Sequence, residues 1–164
     1  VDPYYLVHKA KELQYHTKMI NSGRYVNDSM GRYIGKKVVK KIISQGKNIL
    51  GAHVLVMGMT FKENVSDIRN SKVADIINEF KDFGAEVDVM DPFASPLEVL
   101  QEYGIRLVER PGKKYDAVVV AVAHTTYLKL DESYFMSITN EHAVLADVKG
   151  VYRGSIHQMI YWSL

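Results

Sequence analysis

Apolar residues recur along this chain with two different rhythms. Up to about residue 48 they return every three or four positions, and from Gly51 onward they come in short unbroken runs separated by turn residues. The first rhythm predicts helix from residue 5 to about 48, broken around Asn21-Ser22-Gly23. Its second stretch, from about Arg24, sets Val26, Met30, Ile34, Val38, Val39, Ile42 and Ile43 on one buried face of a long helix. Lys36, Lys37, Lys40 and Lys41 fall mainly on the other side, which reads as a solvated face.

The second rhythm predicts alternating strands and helices. "HVLVMG", "AEVDVMDP", "IRLVE", "YDAVVVAVAH" and "HAVLADVKG" read as strands. Val73, Ile76, Ile77, Phe80 and Phe83 form a helical stripe that stops at Gly84, a C-terminal cap. "SPLEVLQEYG" supplies a serine cap, a first-turn proline and a terminal glycine, and a further helix is expected near Glu132 to Ile138. Runs of Val and Ala without alternation mean strands covered on both faces. The expected fold is α/β, a Rossmann-like parallel sheet with flanking helices preceded by a long-helix arm. The domain reading is 1–48 for the arm and 49–164 for the sheet domain. Tyr161-Trp162 reads as an aromatic pair packed at the domain edge.

Composition narrows the function classes. With 47% hydrophobic and 24% charged residues, a packed core is expected rather than disorder. The net charge of +2 has no basic block behind it, so nucleic acid is not the expected partner. There is no cysteine, hence no thiolate metal site or thiol nucleophile in these 164 residues, and the six histidines lack metal-ligand spacing. The longest apolar run, Ala117 to Ala123, is too short to span a bilayer, so no membrane association and a cytoplasmic location are expected. The opening "VDPYYLVHKA" lacks a methionine and reads as the middle of a longer protein.

The candidate chemistry lies in "GMTFKENVSDIRNSK", Gly58 to Lys72. It follows the first strand, where open parallel sheets bind ligands and helix N-termini attract anions. A dinucleotide fingerprint needs three glycines and this loop has only Gly58, so side chains must supply the contacts. Lys62 offers a compact ammonium and Arg69 a planar fork, both suited to phosphate or carboxylate oxygens. On charge pattern alone a plainer reading stands beside this: Asp67 capping the helix, Arg69 paired with Glu63 or Asp67, and Lys62 solvated. His124, ending "VVVAVAH", suits either a ligand contact or, more commonly, a bond to backbone.

These residues resemble the G-x-x-F-K-x-x-x-x-D-x-R-x-S signature of the UDP-glucose/GDP-mannose dehydrogenase family, at Gly58, Phe61, Lys62, Asp67, Arg69 and Ser71. "VDPYYL" resembles the segment just after that family's catalytic cysteine in the branch acting on UDP-N-acetylhexosamines. "YVNDSM" resembles its central-helix signature, and "DPFASP", "AVVVAVAH" and "ADVKG" follow in the family's order.

The resemblance implies the end of a central helical domain plus a UDP-binding domain. The catalytic cysteine and most of the NAD site would lie outside these residues, and the isolated piece would be inactive. Family members oxidise a sugar-nucleotide alcohol twice with NAD through a thioester on that cysteine. Carried over, Asp2 helps position water in the chemical steps, although an Asp before Pro3 is also an ordinary helix cap. Phe61 and Lys62 contact the UDP-sugar, and Arg69 reaches the NAD phosphates. Lys149 and Arg153 belong to the substrate cleft; "DVKGVYR" departs from the Asp-Gly-Arg run of UDP-glucose enzymes and is closer to the N-acetylhexosamine branch. The long helix implies a homodimer. The product would be a UDP-uronic acid for surface polysaccharide. A UDP-glucose or GDP-mannose dehydrogenase piece, or a dimerisation module only, are the alternatives.

Overall fold

The computed structural model describes residues 2–164, apart from the side chain of Asp2. It packs as two compact units, residues 1–30 and 31–164. The division falls inside helix α2 (Lys18–Ser44), which follows helix α1 (Asp2–Glu12). The expected break at Asn21-Ser22-Gly23 is not there; it lies between Glu12 and Lys18. Gln14 adopts φ 57° at that point, while the amides of Gln14 and Tyr15 bond back to the carbonyls of Lys11 and Ala10. This is a Schellman stop made with glutamine rather than glycine. No turn residue announced it, and Gly23, with open space around it, simply continues α2.

Five strands form the sheet: β1 (His53–Met57), β2 (Glu86–Met90), β3 (Tyr115–Val120), β4 (Thr139–Asp147) and β5 (Ile160–Ser163). Their order is β2-β1-β3-β4-β5, and every pairing is parallel. One strand expectation needs correction. "IRLVE" contributes one bridge, Leu107 to Val89, because Pro111 soon follows and the outermost strand β2 is itself half exposed. Tyr161 and Trp162, expected as an aromatic pair packed at the domain edge, do pack against the core there, within an edge strand, β5, that was not expected.

The unbroken apolar runs are explained by burial on both faces. Val54, Val56, Ala117, Val119, Val144 and Ala146 face α2, α3 (Val73–Asp82) and α4 (Pro96–Tyr103). Leu55, Met57, Val118, Val120 and Leu145 face the other way, onto Tyr127, Phe135 and Tyr152. Phe135 comes from α5 (Glu132–Ile138), capped by Asp131. The serine cap of α4 and the Gly84 stop of α3 form as expected, Ser95 accepting from the Glu98 amide.

Of the stripe expected on α2, Ile34, Val38, Val39 and Ile42 are buried, whereas Val26 and Ile43 are exposed. The buried stripe also includes Gly31 and Gly35, because the helix lies against α3 too closely for side chains. A Cβ on Gly31 would sit 2.6 Å from the Asp75 Cβ and 2.9 Å from the Lys72 carbonyl oxygen. Overpacking of this kind costs about 1–3 kcal/mol, against a helix-propensity gain of about 1 kcal/mol for Gly to Ala. Gly31→Ala is therefore expected to lower the thermal midpoint, while Gly23→Ala, with free space, leaves it unchanged or raises it; calorimetric melts of both variants check the opposite signs.

Candidate functional site

The loop from Gly58 to Asn70 stands at the carboxyl end of β1, and its entry demands glycine. Gly58 has φ +95°, and a Cβ there would meet the Val122 Cβ at 2.5 Å and the Val122 amide nitrogen at 2.8 Å. Its own amide donates to the Met90 carbonyl, so the ends of β1, β2 and β3 are drawn together. What holds the loop beyond this point is a carboxylate. Asp91, directly after β2, has no exposed side-chain surface. It accepts hydrogen bonds from the amides of Met59, Thr60, Phe93 and Ala94 and from His124 Nε2 at 3.0 Å.

His124 is wholly buried as well, its ring 4.8 Å from that of Phe93 at a tilt of 34° and edge-on to Tyr127. Its Nδ1 accepts the Asn64 amide at 3.0 Å, so the hydrogen sits on Nε2 and the ring is neutral. That Nε2–H points at Asp91, with Thr60 Oγ1 at 3.3 Å, and the Thr60 hydroxyl donates to the Lys62 carbonyl. Burial pushes the Asp91 carboxyl up, but the bonds from His124 and the amides outweigh it and hold the group well below the usual carboxylate range.

Between these ties the loop offers Phe61 and Lys62 to solvent, Phe61 being 64% exposed. Among the described residues Lys62 makes no ion pair. The Phe61 amide donates to the Asp67 carbonyl at 2.7 Å, closing the far side of the loop. Arg69 donates to both oxygens of Asp67, from Nε at 3.0 Å and from a terminal nitrogen at 2.8 Å, so the plainer pairing is present. The pairing holds the exposed Asp67 carboxyl down to about 2. It leaves the rest of the Arg69 fork facing solvent, with four-fifths of the side chain exposed. A cavity of about 440 Å³ opens beside it, lined by Ser66, Asp67, Ile68, Arg69, Glu98 and Glu102 among others.

Lys149 joins the loop, its ammonium 3.3 Å from Glu63. Hydrogen bonding from its own amide lowers the Glu63 carboxyl, against some burial, and Lys149 lowers it further. A second buried carboxylate shapes the turn that carries Lys149: Asp147, ending β4, accepts from the Gly150 and Tyr152 amides and the Tyr161 hydroxyl. Arg153 is turned toward Ser163 and the Leu164 carbonyl. Asp2 opens α1, and its side chain lies outside the described residues. Of the groups that order the loop, His124 takes the backbone bond expected of it, from the Asn64 amide, while Asp91, Thr60 and Asn64 were not among the expected site residues. A carboxylate at a strand's carboxyl end beside a loop poor in glycine was the available signal.

A family model described as "UDP-glucose/GDP-mannose dehydrogenase family, UDP binding domain" matches residues 55–154. The chain belongs to this family. It is 41% identical over 150 residues to the UDP-N-acetyl-D-glucosamine 6-dehydrogenase of Pseudomonas aeruginosa, covering 91% of this chain and 36% of that protein. Protein CapL of Staphylococcus aureus is 40% identical over 152 residues, covering 92% and 36%. The chain thus spans a little over a third of these relatives' length. Among solved structures, the UDP-N-acetyl-mannosamine dehydrogenase Cap5O of S. aureus superposes with a TM-score of 0.74 at 26% identity, over 99% of this chain and 36% of that one. The NDP-N-acetyl-D-galactosaminuronic acid dehydrogenase of Methanosarcina mazei gives 0.84 at 21% identity, over 99% and 36%, a likeness of fold. The family's UDP-binding match takes in the whole loop, the Asp91 and His124 clasp and the Lys149 turn. No helix among the described residues is long and apolar enough to cross a membrane.

Replacing Asp91 by Asn would turn an amide group toward hydrogen-bond donors, at a cost of about 2–4 kcal/mol. Because the folded carboxyl lies below its unfolded value of about 4, its stabilisation is present above that pH and is lost as pH falls through the folded value. Denaturant unfolding of Asp91→Asn is expected to show lower stability at neutral pH and a shallower decline in acid than the parent protein.

Proposed function

We propose that this chain is the UDP-sugar-binding portion of an NAD-dependent UDP-N-acetylhexosamine 6-dehydrogenase making UDP-uronic acids for surface polysaccharide. The observation that carries the reading is the Gly58–Asn70 loop, which displays Phe61 and an ammonium without an ion-pair partner among the described residues, at the ligand-binding edge of a UDP-binding family domain. Two relatives of the N-acetylhexosamine branch at 40% identity or above support that branch over the alternatives.

In this reading the Phe61 ring packs on the apolar parts of the nucleotide sugar, and the Lys62 ammonium meets its oxygens. Lys149 and Arg153 complete the substrate side. The Lys149 ammonium, more than half exposed beside a part-buried Glu63, can turn from that contact to a ligand oxygen. Arg69 serves the dinucleotide: Asp67 occupies Nε and one hydrogen of the fork, and the remaining donors suit a phosphate. NAD, held mainly outside these residues, would supply the hydride acceptor for oxidation of the sugar alcohol. Asp2 acts near the reacting carbon, positioning water. The protein works in the cytoplasm as a homodimer through the long helix α2.

Charge-assisted contacts of this kind are each worth about 1.5–3 kcal/mol. Lys62→Ala is accordingly expected to weaken UDP and UDP-N-acetylglucosamine binding about ten- to a hundredfold in a calorimetric titration, with the melting temperature unchanged. Equal affinity in variant and parent would remove Lys62 from the nucleotide site.

A further inference from the structure

Phe61 and Lys62 stand on a tip tied from beneath by the buried side chains of His124, Thr60 and Asp91 and at its far side by Asn64. We propose that His124 is a positioning residue for nucleotide binding, acting with Asp91 and Asn64 to hold Phe61 and Lys62 in their binding geometry. The inference rests on the reading of this loop as the UDP site.

The hydrogen bonds have only one consistent polarity. The Asn64 amide donates to Nδ1; Nε2–H serves Asp91 and Thr60 Oγ1; the Thr60 hydroxyl then donates to the Lys62 carbonyl. His124 therefore links the buried carboxylate to both sides of Lys62. Water cannot replace these links, since His124 is 0% and Thr60 1% exposed. Asn64 is held a second time, its side-chain oxygen accepting from the Thr125 amide and hydroxyl at 2.9 and 3.0 Å. It also keeps φ at 60°, a left-handed conformation that asparagine tolerates better than most non-glycine residues. Between Thr60 and Asn64 only Phe61, Lys62 and Glu63 project outward. A tip ordered before the ligand arrives loses less entropy on binding, so the clasp acts on affinity.

Imidazole suits the task because it places an acceptor and a donor on opposite edges of one rigid ring. Truncated variants separate the two roles. The carboxamide of His124→Asn can place its oxygen near the Nδ1 position and receive the Asn64 amide without reaching Asp91. That of His124→Gln extends toward Asp91 and abandons Asn64.

The test is calorimetric titration of UDP into parent, His124→Ala, His124→Asn and His124→Gln proteins, with melting curves for each. At least a tenfold loss is expected for His124→Ala, with recovery in His124→Asn and little in His124→Gln, whatever their order of stability. A folded His124→Ala protein that binds UDP like the parent, or a His124→Gln protein that recovers binding as fully as His124→Asn, would overturn the positioning role alone. A parent that binds no UDP would instead overturn the reading of the loop. If His124→Ala does not fold, amide exchange in the parent decides: slow exchange at Asn64 supports the clasp, and exchange at the rate of an open loop refutes it.

Discussion

A buried carboxylate that must find donors organises this domain's ligand edge. Asp91 is sealed from water, so its charge is tolerable only because four amides and His124 converge on it. Those donors come from the end of β1, from the turn after β2 and from the end of β3. Satisfying one anion therefore fixes three loops at once. A glycine-rich cradle would bring its own backbone to a phosphate; a loop with a single glycine needs an internal anchor, and here side chains supply it.

The same device recurs at β4, where Asp147 gathers two amides and the Tyr161 hydroxyl under the Lys149 turn. Both carboxylates face inward, while the cations Lys62, Lys149 and Arg69 face solvent. Buried anions and solvent-facing cations are thus separated by depth. This separation gives the edge a firmly tied base beneath solvent-facing, positively charged side chains.

Much of the fold was legible because burial on both faces erases alternation, leaving Val-rich runs that only a covered parallel sheet explains. The caps of α4 were legible because serine, proline and glycine each mark their positions by their own stereochemistry. The stop after α1 was not, since Gln14 takes a glycine's conformation without a glycine's signature. Gly31 and Gly35 escaped for the converse reason: periodicity counts apolar side chains, and these positions are buried by having none. In the loop, Phe61, Lys62 and Arg69 stand out by motif. Asp91 and His124 owe their importance to contacts more than thirty residues apart in the chain, which spacing does not encode.

The most direct measurement is amide chemical-shift mapping of the isotopically labelled protein during titration with UDP. The account predicts the largest changes at Phe61 to Asn64 and around Lys149, with small ones near Glu98 and Glu102 in the neighbouring cavity. Changes centred on that cavity, with Phe61 and Lys62 unmoved at saturation, would contradict it.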